Sequence, residues 1–453
     1  MIILFHNISL NLLNSTTNLL DNKLRYNLAI EEPSLGLAEY STHLIKACLL
    51  RDEFNIIMVV NRSDIVAFKK CHQKMGINSG VEYISFDDLT FKKWRTFDAM
   101  LSYHQNAPQK LIRDIRSPTD IPRIVMTHTL TDKNVVFPTK NRWIHPMGHF
   151  NVYFVTGSTA FKGSWEKYIK IHPSTLKTVK IFKVGRPRTD VLFGNIYDRK
   201  IILTDLGLDS DKKTILYSPT FQKEASLEQC GLKIIDIIRS MNVNLLIRLH
   251  FMSLALDNAG AHEHGHGGND WRKILKQIEN ENNNIRFVEG DSNPFFVASD
   301  LLIGDVSGAC YEFLLQDKPV VFIDTPKFFA EHGRGGISYW GRESGEIVSD
   351  LSKLSDVVQY NLDNPDHKEI ERHDLIQKLV YNRGNASKVA TDTITGLING
   401  KIRFPKWGCR IIRIYLTVAY IFRILRKQKP GLNNEIHITD AIRTLILQKD
   451  KFI

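Results

Sequence analysis

The second half of the sequence places polar side chains directly after runs of apolar residues. These polar residues are Ser218, Thr220, Arg248, His250, Asp305, Ser307 and Asp324. Parallel strands have their carboxyl ends at one edge of a sheet, and open parallel sheets bind ligands at that edge. Hydroxyl, guanidinium and imidazole groups can all donate hydrogen bonds to phosphate oxygens. The pattern therefore predicts a crevice for a ligand that carries phosphate.

A predicted helix over 308–315 supplies a second kind of phosphate contact. Its start, at Ser307 and Gly308, would offer unpaired N–H groups and the positive end of the helix dipole, and Gly308 would let a phosphate approach the backbone. The alternative is that Ser307 is only an N-cap. Glu312 lies about one and a half turns further on. It could reach a ribose hydroxyl of a nucleotide whose phosphates rest at the helix start, and the alternative is that it is a solvated glutamate.

The elements that hold these residues are predicted by strand-like runs that alternate with helical stretches. The first series of runs lies at 56–60, 81–86, 99–103, 123–128 and 152–157, and the second at 214–219, 243–247, 285–288, 300–305 and 319–324. This alternation indicates an α/β protein with parallel sheets. The turn-rich segment GRPRTD at 185–190 separates the series, so we predict an N-terminal domain over 1–195, a nucleotide-binding domain over 196–400 and a tail over 401–453.

Composition and charge narrow the possible partners. The chain has 453 residues and a formal net charge of +11, but twelve Lys or Arg and three Asp or Glu lie in residues 401–453, which leaves +2 for the rest. The basicity thus belongs to the tail, and nucleic acid is not an expected partner. Five scattered cysteines indicate reduced thiols. The opening MIILF predicts a first strand, not a signal peptide, so a cytoplasmic protein is expected.

Two further segments could bind a metal or a membrane. HEHGHGG at 262–268 alternates histidine with other residues, but the scarcity of partner ligands favours a loop without a metal. The apolar run at 411–425 would span only about 22 Å as a helix, short of the roughly 30 Å hydrocarbon core. Its flanking arginines and lysines favour an interfacial helix on the inner face of the cell membrane, and the alternative is a helix packed on the N-terminal domain.

The motifs, taken in order, resemble the CDP-glycerol glycerophosphotransferase family of teichoic-acid polymerases and primases. The resemblance rests on GRPRTDVL at 185–192, ILYSPTFQ at 215–222, LLIRLH at 245–250 and SDLLIGDVSGACYEFLLQDKPVVFID at 299–324. HTLTDK, which begins at His128, occupies the place of a family motif with a histidine and a lysine. The segment PSLGLAEYSTHLIKACLL at 33–50 resembles the acceptor-side loop and first helix of GT-B glycosyltransferases. The resemblance implies a GT-B fold of two Rossmann-like domains that face a central cleft.

The resemblance also implies an activity and roles for individual residues. Glycerol phosphate, or a related polyol phosphate, would pass from a CDP-activated donor to a hydroxyl of a lipid-linked or polymeric acceptor in cell-envelope synthesis, without a cofactor or a metal. His128 would be the general base and His250 a second catalytic residue. The donor nucleotide and its diphosphate would contact Ser218, Thr220, Arg248, Asp305, Ser307, Gly308 and Glu312.

Two other functions remain open on the sequence. The first is a GT-B glycosyltransferase that transfers the sugar of a nucleotide sugar for capsule or glycolipid synthesis. The second is a non-catalytic, membrane-docked binding module. Thr129 and Phe251, which stand where the family has a glycine and a proline, are the features that favour this last alternative.

Overall fold

A computed structural model gives the fold of the chain. It describes residues 25–32, 38–103, 114, 116–126, 130, 146–162, 166, 169–170, 177–254 and 268–406. His128, the histidines of HEHGHGG and the apolar run at 411–425 lie outside the described residues. Among the residues that are described, no helix is long and apolar enough to cross a bilayer.

The first domain is built on a parallel sheet of seven strands in the order β3-β2-β1-β4-β5-β6-β7. Its strands are β1 (Tyr26–Glu31), β2 (Phe54–Val60), β3 (Val81–Ser85), β4 (Ala99–Ser102), β5 (Arg123–Met126), β6 (Val152–Val155) and β7 (Lys180–Lys183). The accompanying helices are α1 (Ala38–Leu49), α2 (Ile65–Lys74), α3 (Phe91–Trp94) and α4 (Ser158–Phe161). Parallel neighbours require crossover connections, which here run through these helices and loops.

The second domain is built on a parallel sheet of six strands in the order β10-β9-β8-β11-β12-β13. Its strands are β8 (Thr214–Tyr217), β9 (Asn244–Ile247), β10 (Ile285–Phe287), β11 (Leu301–Gly304), β12 (Val320–Ile323) and β13 (Glu346–Val348). The helices are α5 (Arg199–Asp205), α6 (Ser226–Arg239), α7 (Trp271–Glu281), α8 (Asn293–Ala298), α9 (Gly308–Phe313), α10 (Pro326–His332), α11 (Ile337–Trp340), α12 (Leu354–Asp363) and α13 (Glu369–Leu379).

Both sheets are covered on both faces, which explains the nearly continuous apolar runs of their central strands. In the second sheet, Leu216 and Leu302 pack with α5, α8 and α13 on one face. Ile215 and Ile303 pack with α6, α7 and α12 on the other face. Since successive side chains of a strand point to opposite faces, a strand covered twice must be apolar throughout.

The chain crosses between the domains twice, and the two crossings touch. The first crossing leaves β7 and enters a 3-10 helix at Pro187–Phe193, and the second follows α13. The backbone N–H of Tyr381 in the second crossing donates to the Thr156 carbonyl at the end of β6, at 2.8 Å. The last described helix, α14 (Ala386–Ile398), then lies against the first sheet.

The position of α14 differs from the domain limits expected from the sequence. Those limits assign residues up to 400 to the second domain, whereas Ala390, Ile394 and Leu397 are buried in the core of the first. Ile402 and Phe404 of the predicted tail also pack against that core. An amphipathic pattern shows that a helix has an apolar face, but not which sheet the face covers.

The remaining strand predictions agree with the structure to within a few residues, while three strands were not predicted. These are β1, β7 and β13. β7 reads KIFK and β13 reads EIV, and both lie at sheet edges, where one side of a strand faces solvent and the apolar signal is short. The strand expected at the opening MIILF lies outside the described residues.

Candidate functional site

The candidate site lies at the point where the strand order of the second sheet reverses. β8 and β11 are neighbours, and the chain adds β9 and β10 on one side of them and β12 and β13 on the other. The loops that follow β8 and β11 therefore diverge and leave a crevice at the carboxyl edge. The predicted residues Ser218, Thr220, Asp305 and Ser307 all lie in these two loops.

Asp305 holds the two loops together. Its Oδ1 accepts hydrogen bonds from the backbone N–H groups of Thr220 (2.9 Å), Val306 (2.7 Å) and Ser307 (3.2 Å). Its Oδ2 accepts from the N–H (3.0 Å) and the hydroxyl (2.7 Å) of Ser226. A buried carboxylate with five donors needs no ligand to satisfy it, so this side chain shapes the crevice.

The two hydroxyl residues after β8 are buried beside this carboxylate. The backbone N–H of Ser218 donates to the Ile303 carbonyl at 2.9 Å and so extends the pairing of β8 with β11. The Thr220 hydroxyl donates to Gln222 Oε1 at 2.8 Å. Only 3% of Ser218 and 5% of Thr220 is exposed, so a ligand reaches them only from within the crevice.

Ser307 and Gly308 form the start of α9, as the sequence predicts. Ser307 Oγ accepts from the Ala309 N–H at 3.3 Å, which makes Ser307 the N-cap of the helix. A Cβ atom on Gly308 would meet nothing within 4 Å, so the space beside this glycine is open. The capping interpretation thus accounts for the Ser307 side chain, and the open space remains beside the backbone.

Arg248 and His250 follow β9, and Arg248 reaches the first domain. Arg248 donates through Nη2 (2.8 Å) and Nε (3.2 Å) to the Gly290 carbonyl, and its Nη2 lies 3.4 Å from Glu39 Oε2 of α1. The His250 ring stacks on Phe221 at 4.8 Å between centroids. His250 Nδ1 accepts from the Met252 N–H at 3.2 Å, which in the neutral ring puts the proton on Nε2.

Glu312 is enclosed by two arginines of the GRPRTD turn. Arg186 Nη2 donates to its Oε1 at 2.6 Å, and Arg188 Nε lies 3.6 Å from its Oε2. Within the described part of the chain, Oε2 accepts no hydrogen bond. The alternative interpretation of Glu312 as a solvated glutamate is therefore wrong, because this side chain is 90% buried in an ion-pair network between the domains.

Arg188 is the centre of that network, which the sequence did not point to. Its Nη2 lies 3.0 Å from Glu39 Oε2 and 3.7 Å from Asp291 Oδ1, and it donates to Ser292 Oγ at 2.5 Å. Burial lowers the pKa of Arg188, but the carboxylates of Glu312 and Glu39 outweigh burial and raise it above its ordinary value. The one signal that could have found it is the GRPRTD segment, a motif on which the resemblance rests, in which two arginines flank a proline.

Asp291, which follows β10, carries the network to α1. His43 Nε2 lies 3.6 Å from its Oδ2. Burial raises the pKa of Asp291, but the imidazole of His43 and the guanidinium of Arg188 outweigh that effect and hold it well below its usual range. Asp291 of the second domain therefore contacts both His43 of the first domain and Arg188 of the first crossing.

The first domain faces the cleft with its own reversal point, between β1 and β4. Glu32 and Tyr103 follow these two strands and are 1% and 2% exposed. Burial raises the pKa of both groups. Among the described residues, neither Glu32 oxygen nor the Tyr103 hydroxyl has a hydrogen-bond partner. These two positions were also not predicted from the sequence.

Two groups of side chains in the described part of the chain have the spacing of metal ligands. They are Glu224, Glu331 and His332, and Asp317, Glu369 and His373. The first group lies on the loop after β8 and at the end of α10, beside the crevice. Most of these side chains are exposed, and exposed groups of this kind are also common without an ion.

Comparison with known proteins gives matches in sequence and in fold. A teichoic acid poly(glycerol phosphate) polymerase of Staphylococcus epidermidis is 27% identical over 155 residues, 32% of this chain and 19% of the relative. A teichoic acid glycerol-phosphate transferase of Staphylococcus aureus is 24% identical over 193 residues, 40% of this chain and 45% of the relative. The chain thus spans less than half the length of these curated relatives.

Solved structures share the fold at low sequence identity. The wall teichoic acid polymerase TagF matches with a TM-score of 0.56 and 16% identity, over 83% of this chain and 89% of that protein. The fold is therefore of the GT-B type, as expected from the sequence. Residues 121–396, which include both reversal-point loops of the second sheet, match the family described as CDP-glycerol:poly(glycerophosphate) glycerophosphotransferase. Because this match covers more than half of the sequence, the chain belongs to that family.

Proposed function

We propose that the chain transfers glycerol phosphate, or a related polyol phosphate, from a CDP-activated donor to a hydroxyl of a lipid-linked or polymeric acceptor. CMP is the leaving group, and the product is a cell-envelope polymer. The observation that carries the proposal is the family match over 121–396, which includes the crevice at the ends of β8, β9 and β11.

The donor contacts are assigned to the second domain. Arg248 supplies positive charge at the end of β9, and the Nε2–H of His250 is a donor for a phosphate oxygen. The open space at Gly308 admits a phosphate beside the backbone, with Ser218, Thr220 and Ser307 around it. Glu312 Oε2, which accepts no hydrogen bond from the described residues, is assigned to a ribose hydroxyl.

The acceptor hydroxyl must lose a proton, and we assign His128 as the base that takes it. The described residues on either side of position 128 support this assignment, because they belong to different domains. Met126 ends β5 in the first domain, and Leu130 is buried in the core cluster of the second. An imidazole with an ordinary pKa near 6.5 is largely neutral at cellular pH and can accept the proton.

Product analysis tests the reaction itself. The full-length protein is incubated with CDP-glycerol, CDP-ribitol or nucleotide sugars and with a glycerol-phosphate acceptor, and the released nucleotide is identified. Release of CMP with an acceptor-linked polyol phosphate supports the proposal. Release of a nucleoside diphosphate would identify a glycosyltransferase instead, and no turnover with any donor would favour the binding module.

Substitutions separate the roles of the two domains. We expect Arg248→Ala and His250→Ala to weaken CDP binding in calorimetric titration and to slow turnover. A positive side chain or an N–H donor interacts more strongly with the phosphate as negative charge builds on it in the transition state. His128→Ala should keep CDP affinity and lower turnover by about a hundredfold or more. Arg272→Ala, at an exposed ion pair with Glu289, is the matched arginine control. Unchanged CDP affinity in both donor-site variants would refute the assignment.

We also propose that residues 407–453 attach the protein to the inner face of the cell membrane. Ile402 and Phe404 pack on the first domain, so a truncation after Lys406 removes the basic tail and keeps this contact. The truncated protein should move from the membrane pellet to the supernatant, and high salt should partly reproduce the effect by screening. A truncated protein that stays in the pellet, or that unfolds, would contradict this role.

A further inference from the structure

The guanidinium group of Arg248 is held along one edge by two acceptors. Its Nη2 and Nε donate to the Gly290 carbonyl at 2.8 and 3.2 Å, and its Nη2 also donates to Glu39 Oε2 at 3.4 Å. A guanidinium group has five N–H donors in a rigid plane. Among the described residues, Nη1 has no acceptor. The N–H groups of Nη1 are therefore left to bind a ligand.

Glu39 reaches this side chain from the other domain. It lies in the first turn of α1, whereas Arg248 and Gly290 follow strands of the second sheet. The side chains of Arg248 and Glu39 are only 18% and 19% exposed, so water and salt screen this pair less than an exposed one. Arg248 is thus oriented from both domains at once.

The Glu39 carboxylate matters more for Arg248 than for its other partner. The same oxygen, Oε2, lies 3.0 Å from Arg188 Nη2. Arg188 has two further carboxylates, those of Asp291 and Glu312. In the part of the chain that the structure describes, Arg248 pairs with no carboxylate except that of Glu39. Loss of the Glu39 charge would leave Arg188 compensated and Arg248 without an ion-pair partner.

Two effects of such a carboxylate on anion binding have opposite signs. Ordering a long side chain during binding weakens the affinity by about three- to tenfold, and a contact that orders it beforehand removes this cost. A negative charge beside an anion site instead repels the anion and weakens its binding. The sign of the change in affinity on removing the Glu39 charge therefore distinguishes positioning from repulsion.

We propose that Glu39 is a positioning residue of the donor site, which orients Arg248 from the first domain so that Nη1 faces the donor diphosphate. This inference rests on the proposed function, which assigns Arg248 to the donor. It adds a first-domain residue to a site otherwise built from the second domain. Donor affinity then depends on how the domains face each other, and donor binding in turn stabilises that arrangement.

Calorimetric titration of CDP into the full-length protein tests this role without any transfer reaction. We expect Glu39→Gln to weaken CDP binding by about three- to tenfold, although it removes a negative charge near an anion site. Glu39→Asp keeps the charge, but its shorter side chain withdraws from Arg248, so it should weaken CDP binding as well. Binding as tight as in the parent, or tighter, in either variant would overturn the proposal.

A double-mutant cycle shows whether Glu39 acts through Arg248. In the Arg248→Ala background, Glu39→Gln should have no further effect on CDP affinity. An equal loss in both backgrounds would overturn the proposal, because Glu39 would then act through the fold in general.

Asp291→Asn is the matched control, since it removes a carboxylate of the same network that pairs with Arg188. It should not weaken CDP binding. A loss as large as that of Glu39→Gln would overturn the proposal, because any damage to the network would then have the same effect.

Failure of this inference can be told apart from failure of the proposed function. Weaker CDP binding in Glu39→Gln and Arg248→Ala, with no CMP released by the parent from any donor, would refute the reaction and support the positioning role. CMP release by the parent, with unchanged CDP affinity in Glu39→Gln, would refute the positioning role and support the reaction. Unchanged CDP affinity in Arg248→Ala would overturn the positioning role together with the donor-site assignment.

Discussion

At the scale of single residues, the charges buried between the domains matter most. Arg188 has 4% of its side chain exposed and lies among the carboxylates of Glu39, Asp291 and Glu312. Removing one partner of a buried ion pair leaves a charge without compensation, which costs far more than the pair contributes as a whole. The network therefore fixes how the two domains face each other, although its net contribution to the free energy of unfolding can be small.

The first prediction is that Arg188→Met lowers the free energy of unfolding by about 3–5 kcal/mol. Methionine keeps much of the apolar stem of the side chain but removes the positive charge that faces three carboxylates. Arg272→Met is the control, since Arg272 and Glu289 are about half exposed and such pairs contribute at most about 1 kcal/mol. Urea unfolding of both variants checks the difference. Equal losses of unfolding free energy in the two variants would show that the buried network stabilises the fold no more than an exposed ion pair does.

At the scale of elements, a buried histidine links α2 to the edge of the first sheet. His72 Nδ1 lies 2.7 Å from the hydroxyl of Tyr83 on β3. Burial lowers the pKa of His72 to about 4, and burial raises the pKa of Tyr83 to about 12. Both groups are therefore neutral in the folded chain at cellular pH.

The second prediction is that this histidine makes stability dependent on pH between about 4 and 6.5. In that window the unfolded chain binds a proton at His72 and the folded chain does not, so the free energy of unfolding falls as the pH falls. The loss is about 3 kcal/mol, because each unit of the pKa difference corresponds to about 1.4 kcal/mol, and the folded chain has lost none of this stability above pH 6.5. His72→Asn should flatten the profile measured by urea unfolding. Parallel profiles for variant and parent would contradict the prediction.

At the scale of the whole molecule, two glycines let the two crossings touch. A Cβ atom on Gly157 would lie 1.9 Å from the Leu379 carbonyl oxygen, and one on Gly185 would lie 2.1 Å from that of Tyr381. Gly185 also has φ of +94°, in the region that favours glycine. The second crossing can therefore pass over the ends of β6 and β7 only because no side chain stands there.

The third prediction compares Gly185→Ala with Gly333→Ala. Both glycines have positive φ, but nothing lies within 4 Å of a Cβ on Gly333. Gly333→Ala should lose about 1–3 kcal/mol from backbone strain alone, because φ of +81° with ψ of +169° lies in a region that essentially only glycine adopts. Gly185→Ala should lose about 1–3 kcal/mol more, because the Tyr381 backbone must move. Thermal unfolding checks the order of the two variants, and a smaller loss at Gly185 would mean that the crossing moves aside without cost.

The sequence by itself determined the class of fold and much of the crevice. The period of the strands and the polar residues that end them place Ser218, Thr220, Asp305 and Ser307 at one edge of one sheet, because strand direction alone brings carboxyl ends together. The family is also determined at this level, and the match over 121–396 confirms it. The catalytic roles assigned to His128 and His250 stay predictions.

Only the tertiary structure decided which distant charges meet and which core α14 joins. Arg186 and Glu312 are 126 positions apart, and Arg248 and Glu39 are 209 apart. No local pattern encodes such pairs, since periodicity reports only the faces of a single element. The position of α14 likewise depends on the second crossing fitting past Gly157 and Gly185.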